Sequence, residues 1–389
     1  MPVPVPQLGS FDYVPETKEN LDWADLVTVD LSLYNTPEGK TQLAQTLINA
    51  IRNEGFFYVK NFNISQERVN RQFALGKQFY ELPLEEKEKY TPEGLDQGKF
   101  NGYIPAGRRM RVFLRKFFVH HLTNSNYVVS ILKRAYGIRL RYTIFQCAEF
   151  NGEFPHDHPE LIKKNLPEIE EFARALHTEV LDPLFILLAI ALELPEDYLT
   201  NLHQYSVKSE DHLRYMKYSK YSLEENKTLN NWGYGHTDLG SFTLLFRQPV
   251  AALQIRSHIN NEWKWVKPQD ATLTVNACDA LQLLTAGYVK STIHRVTVPP
   301  LDQQHVDRLG LLYFSRPHND VPLATIQASP VLQREGFTKN EFESSGNSVP
   351  TMEEWTFAKQ KWQRTKGYHG DAKYRNAVIL PGFAEKPYV

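Results

Sequence analysis

The sequence predicts a mainly β fold with flanking α-helices, a jelly roll whose two sheets enclose a cavity for a small molecule. Three observations predict it. Between Leu213 and Phe314 the chain divides into eight short strand-like segments, parted by turn signals such as Asn260-Asn261, Pro268 and Asp302, and short strands at even spacing are the pattern of a jelly roll. Helical periodicity is confined to the regions on either side. His236-Thr237-Asp238, an H-x-D triplet, stands at the mouth of an apolar run. Side chains two apart on a strand point to the same face, so the imidazole and the carboxylate would reach one point together.

Taken in order, residues 1–25 are Pro-rich and polar and read as an extended arm. Residues 26–109 form an N-terminal α/β region. Leu26–Leu33 reads as a short strand. Thr36-Pro37 opens a helix, Thr as cap and Pro at the first helical position, and Gly55 closes it. Phe56–Val59 is a strand, Ser65–Tyr80 a second helix, Leu84–Tyr90 a short charged one, and Gly94–Gly107 a Gly-rich loop. Residues 150–204 are helical, with Asn165-Leu166-Pro167 starting the second of two helices and Asp182-Pro183 inside it. Ile169, Phe172, Leu176 and Val180 give that segment one apolar stripe, which is core.

Residues 205–320 hold the jelly-roll core. Its eight segments are Leu213–Tyr218, Ser241–Phe246, Leu253–Ile255, Trp263–Val266, Leu273–Asn276, Leu281–Leu284, Thr292–Val296 and Leu309–Phe314. Residues 321–389 end the chain with an amphipathic helix, Met352–Lys366, and a tail. Residues 110–149 stand apart. Ten Lys and Arg fall between Lys99 and Arg141, and no acid between Asp96 and Glu149, with aromatic residues mixed in. Such a stretch can bind nucleic acid or a membrane surface; the plainer reading, an atypical insertion with a solvated basic face, is preferred.

Composition narrows the class. A formal net charge of −1 gives no global attraction to nucleic acid or anionic membrane. Two cysteines, Cys147 and Cys278, provide neither a disulfide framework nor a thiolate metal site. The N-terminus has no basic and apolar signal pattern, and the longest apolar run, Pro183–Leu192, is too short to span a bilayer. These features are expected of a soluble, cytoplasmic, monomeric protein acting on a small molecule.

An H-x-D triplet is common by chance, and His305-Val306-Asp307, His318-Asn319-Asp320 and His369-Gly370-Asp371 repeat it. Only His236-Thr237-Asp238 is followed by both a strand-borne His, His294 in Ser291–Val296, and a strand-borne Arg, Arg308. His236, Asp238 and His294 then make the two-His, one-carboxylate facial triad, which leaves the opposite face of an Fe(II) ion open to O2 and a co-substrate. His156-Asp157-His158 lacks a spaced third ligand and reads as a surface turn. Asp279 reads as structural.

These residues resemble the isopenicillin N synthase-like family of 2-oxoglutarate/Fe(II)-dependent dioxygenases, above all its fungal branch. The resemblance is carried by Gly55–Val59, Phe79–Pro83, His236-Thr237-Asp238, Leu253-Gln254, Asp279–Gln282 and His294-Arg295-Val296, and covers roughly residues 26–317 apart from 110–149. It implies a double-stranded β-helix core, Fe(II) held by His236, Asp238 and His294, and hydroxylation or desaturation of a small organic molecule with release of succinate and CO2. It further implies that Arg308 takes the distal carboxylate of 2-oxoglutarate, with Tyr218 as a second co-substrate residue. The family's Arg-x-Ser is here Arg308-Leu309-Gly310, its Gly before Asp279 is Cys278, and the Asn of its Asn-x-Tyr is Met216. Two other readings stay open: an oxidase on the same scaffold that uses no 2-oxoglutarate, and a catalytically impaired jelly-roll binding protein.

Overall fold

The chain is described in a computed structural model, over residues 8–93, 102–105, 142–148, 157–223, 235–365 and 378–384. The strands are β1 (Thr28–Asp30), β2 (Phe56–Lys60), β3 (Gly102–Ile104), β4 (Tyr142–Ala148), β5 (His212–Tyr218), β6 (Phe242–Phe246), β7 (Leu253–Arg256), β8 (Trp263–Trp265), β9 (Thr272–Ala277), β10 (His294–Val296) and β11 (Arg308–Phe314). They build a large sheet in the order β1-β2-β9-β6-β11-β5-β4-β3 and a small one in the order β10-β7-β8. A terminal hairpin pairs β12 (Val378–Leu380) with β13 (Phe383–Ala384).

The period-2 pattern of the large sheet sends its residues to two different cores. Phe57, Val59, Phe242, Leu244, Val275, Leu213, Tyr215, Leu311 and Tyr313 face the helices, in one cluster with Leu47 and Ile51 of helix α1 (Pro37–Asn53) and Phe73 of α2 (Gln66–Glu81). On the other face, Phe56 and Tyr58 pack with Leu253 and Ile255 of the small sheet. Met216 and Tyr218 pack there with Ala252 and Val296, and half-buried Leu312 packs against them. The molecule is thus layered as helices, large sheet, small sheet. The space between the sheets is where functional side chains can converge.

The helix caps follow the sequence. The Thr36 side chain accepts from Gly39 N–H at 3.1 Å, and that of Ser65 from Arg68 N–H at 3.3 Å, each satisfying one orphan donor of a first turn. Gly55, φ +69°, turns α1 into β2. A Cβ there would stand 2.2 Å from Thr292 Oγ1 and 2.6 Å from the Lys290 carbonyl. Gly55→Ala should therefore destabilise the protein by at least about 1–3 kcal/mol, the range for a strained backbone position. A thermal melt within a degree of wild type would contradict this.

Five elements differ from the sequence expectation. Leu281–Leu284 belongs to a helix, Asp279–Leu284; Ala, Leu and Gln are good helix formers, and a short apolar run does not by itself choose between strand and helix. Pro167 lies inside the helix Glu160–Leu176 instead of starting one. It sits on the exposed face, where solvent can take the carbonyl its missing N–H would have bonded. The break comes instead at the π-turn His177–Leu181, after which Asp182-Pro183 opens a new helix, Asp182–Ala191. Only Thr28–Asp30 of Leu26–Leu33 is strand, the rest closing in a 3-10 turn. The stretch 94–107 contains β3. Finally, 142–148, assigned above to the insertion, is β4, paired along its whole length with β5. The rest of the basic segment lies outside the described residues. Among the described residues, no helix is long and apolar enough to cross a membrane.

Candidate metal centre

His236 and His294 meet through a two-way backbone bridge, each N–H donating to the other's carbonyl at 3.0 Å. His236 is therefore held by a single bridge and not by a regular strand, since β6 begins only at Phe242. Asp238 follows two residues on. The candidate donor atoms of His236, Asp238 and His294 all lie within 4.8 Å of one another, and no other such group of three occurs among the described residues. His236 Nε2 stands 3.7 Å from Asp238 Oδ1, and His294 Nε2 3.6 Å from Asp238 Oδ2. The His236 side chain is 40% exposed, and those of Asp238 and His294 are nearly buried. The trio thus lies at the edge of the inter-sheet space with one side open.

The surroundings fix the candidate donor atoms. Asp238 Oδ2 accepts from Thr243 Oγ1 at 2.8 Å and from Asn276 Nδ2 at 3.0 Å. Thr243 and Asn276 are direct partners across β6 and β9, so both side chains rise from one spot on the sheet. Burial pushes the Asp238 carboxyl upward, but the imidazoles of His294 and His236 and those two hydrogen bonds outweigh it and hold the group down to about 2. His294 Nδ1 lies 3.1 Å from the Thr292 carbonyl; with the proton on Nδ1, Nε2 is left as the free donor. Phe56 sits edge-on to the His294 ring, centroids 5.5 Å apart.

Arg308 opens β11 directly opposite Tyr218 of β5. It is 4% exposed, its Nε has no hydrogen-bond partner, and its guanidinium lies 5.4 Å from the Tyr218 ring centroid. Burial lowers its basicity, and the Tyr218 hydroxyl works against that. It shares its face of β11 with Gly310 and Leu312. Leu312 packs against the cluster holding Val296, which shares a face of β10 with His294. Arg308 and the triad therefore border the same space. The donor set fits Fe(II), for which two imidazoles and one carboxylate with open positions are the usual oxygenase arrangement. The buried, under-bonded guanidinium fits a carboxylate, which its planar fork meets with two parallel bonds.

The other triplets are engaged differently. His305 is exposed and Asp307 pairs with Lys217 at 2.8 Å. Buried His318 takes a backbone bond to Leu202. His369 lies outside the described residues, as does His156. His158 is buried and Asp157 pairs with Lys163, so that turn is only partly at the surface. Sequence reasoning missed Thr243 and Asn276. Nothing local marks them, because their role arises from the pairing of two strands.

Two family models match the chain: the non-haem dioxygenase in morphine synthesis N-terminal model over residues 26–121, and the 2OG-Fe(II) oxygenase superfamily model over 210–317. A UPF0676 protein of Schizosaccharomyces pombe is 29% identical over 301 residues, covering 77% of this chain and 84% of its own. A 2-oxoglutarate-Fe(II) type oxidoreductase of Aspergillus fumigatus is 24% identical over 308 residues, covering 74% and 80%. In fold, the chain is similar to a full-length Neurospora crassa protein solved in complex with alpha-KG and thymine, with a TM-score of 0.70 at 19% identity over 88% of this chain and 99% of that one. The chain matches the 2OG-Fe(II) oxygenase superfamily model over residues 210–317 and has the jelly-roll fold. It is a 2-oxoglutarate- and Fe(II)-dependent dioxygenase that consumes O2.

Proposed function

We propose that His236, Asp238 and His294 are the Fe(II) ligands, that Arg308 with Tyr218 anchors the distal carboxylate of 2-oxoglutarate, and that a small organic molecule is hydroxylated or desaturated between the sheets. The observation that carries this reading is the pairing, around one space, of a compact His-Asp-His group with a buried guanidinium whose Nε lacks a partner. Bound Fe(II), with 2-oxoglutarate and O2, supplies the oxidising power, and 2-oxoglutarate leaves as succinate and CO2. The chain's residues do the rest. Thr243 and Asn276 hold the Asp238 carboxylate, and the Thr292 carbonyl orients His294. Arg308 orients the co-substrate, and Met216, Leu312 and Val296 form an apolar wall that keeps water from the reacting centre.

The same reading makes 26–109 and 205–320 one catalytic unit, with 1–25 an arm, 110–149 an atypical basic and aromatic insertion whose residues 142–148 join the large sheet, 150–204 a helical segment, and 321–389 a C-terminal helix and tail. β1 and β2 lying in one sheet with β5, β6, β9 and β11 supports it. The protein acts as a cytoplasmic monomer, with no nucleic acid or membrane partner, a reading supported by its near-zero net charge and its widely separated cysteines.

Anaerobic addition of Fe(II) and then 2-oxoglutarate should produce a weak visible charge-transfer band, the mark of a bidentate chelate. Gly310 offers no hydroxyl where the resemblance has Ser, so in this reading Arg308 holds the distal carboxylate without that contact. Fe(II) binding without any band on adding 2-oxoglutarate would overturn this assignment of the site.

A further inference from the structure

The C-terminal helix Met352–Thr365 lies outside both matched family regions, yet it sends a charge to the metal-binding segments. Lys359 is 2% exposed, and its Nζ lies 3.1 Å from Asp279 Oδ2. One turn back, Trp355 is fully buried, its ring centroid 5.3 Å from that ammonium; Phe383 of the terminal hairpin is 5.7 Å away. A buried ammonium is costly unless it meets an opposite charge. At this position, then, the lysine's charge matters more than its stem.

Asp279 is the hub that receives it. Its Oδ1 accepts from Ser291 Oγ at 2.7 Å, and its Oδ2 from Thr237 Oγ1 at 3.2 Å. Its backbone N–H donates to the Asp238 carbonyl at 2.9 Å. Thr237 stands between His236 and Asp238, and Ser291 lies three residues before His294. One carboxylate thus ties both ligand-bearing segments together, beyond the bridge at the histidines themselves.

We propose that Lys359 is a positioning residue of the metal centre. Its ammonium fixes Asp279, and Asp279, through Thr237 and Ser291, sets the separation of His236 and Asp238 from His294. This rests on the assignment of those three residues as the metal ligands. Without the ammonium, the buried carboxylate loses its counter-charge and turns toward water. Its two hydroxyl partners are released, and the ligands relax from the geometry a metal needs.

The test uses the full-length protein under anaerobic conditions, with Co(II) as the metal probe. Its d–d absorption reports affinity and geometry, and thermal melts of the metal-free protein report the fold. Lys359→Met should weaken Co(II) binding by about 10- to 100-fold, the usual cost of losing an outer partner of a metal ligand, and alter the d–d spectrum. Lys359→Arg should restore most of the affinity. Lys359→Met combined with Asp279→Asn should lose less than the two single changes together, because both charges go at once. Phe342→Leu, which loosens the packing around buried Trp355, should lower the melting temperature and leave Co(II) affinity intact; a merely structural Lys359 would behave the same way. Binding by Lys359→Met within about twofold of wild type would overturn the proposal, since outer partners ordinarily cost more. Should Lys359→Met not fold, Thr237→Val and Ser291→Ala cut the far ends of the same tie, and unchanged affinity in both would overturn it. His236→Ala binding Co(II) as wild type does would sink the ligand assignment itself, a result distinct from an inert Lys359.

Discussion

Asp238→Ala should abolish turnover and tight Fe(II) binding while leaving a folded protein. The carboxylate is the trio's anionic donor, and two imidazoles alone offer a divalent ion neither its charge nor its third point. Loss of an outer partner costs about 10- to 100-fold in metal affinity, so loss of the ligand itself should exceed that. The fold should survive, because the change opens onto a space and not into packed core. Thr243 Oγ1 and Asn276 Nδ2 lose their carboxylate acceptor and keep only the weaker contact with Cys278 Sγ, at a cost of about 1–3 kcal/mol where water does not replace it. His236→Ala and His294→Ala should fail in the same way. His318→Ala should leave metal binding unchanged, since His318 lies in a different part of the fold, bonded to Leu202. Metal content after anaerobic dialysis, read beside succinate release, checks all four. Wild-type activity in any of the first three would remove that residue from the trio.

The centre was legible in the sequence where its chemistry is local or in a fixed order. His236 and Asp238 are two residues apart, and His294 and Arg308 follow on recognisable strands. The strand alternation around them was equally readable, because one face of each strand is buried and a slip of one residue would expose it. The parts that escaped notice depend on pairing across the sheet or on distant segments. Asn276 reaches Asp238 only because β9 lies beside β6 in one register. Nothing local on the amphipathic helix marks Lys359 as buried, and it is buried because Asp279 is there to receive it. β4 was hidden in a basic, aromatic stretch whose composition is unlike a core strand, yet it pairs residue for residue with β5. Leu281–Leu284 was misread because apolar content alone does not set backbone conformation.

Arg308→Ala should raise the concentration of 2-oxoglutarate needed for half-maximal succinate release by about 30- to several-thousand-fold. Truncating one partner of a buried, hydrogen-bonded charge pair costs about 2–5 kcal/mol, and each 1.4 kcal/mol or so is a decade in affinity. The upper part of that range applies to a guanidinium as enclosed as this one, 4% exposed on an apolar wall. Arg308→Lys should recover only part of the loss, because an ammonium is a point charge and cannot meet a carboxylate with two parallel bonds. Gly310→Ser restores the hydroxyl that the resemblance expects two residues on, on the same face of β11. Its Cβ would stand 3.2 Å from Leu312 Cδ1 and 3.4 Å from Met216 Cβ, so the end of the Leu312 side chain must yield by a few tenths of an ångström. That end is flexible, and a net hydrogen bond of about 0.5–1.5 kcal/mol should then tighten 2-oxoglutarate by roughly two- to tenfold. Fe(II) affinity should be intact in all three variants, since Arg308 and Gly310 lie outside the donor trio. The measurement is succinate release against 2-oxoglutarate concentration, with Fe(II) affinity determined separately. An unchanged apparent affinity in Arg308→Ala would remove Arg308 as the co-substrate anchor.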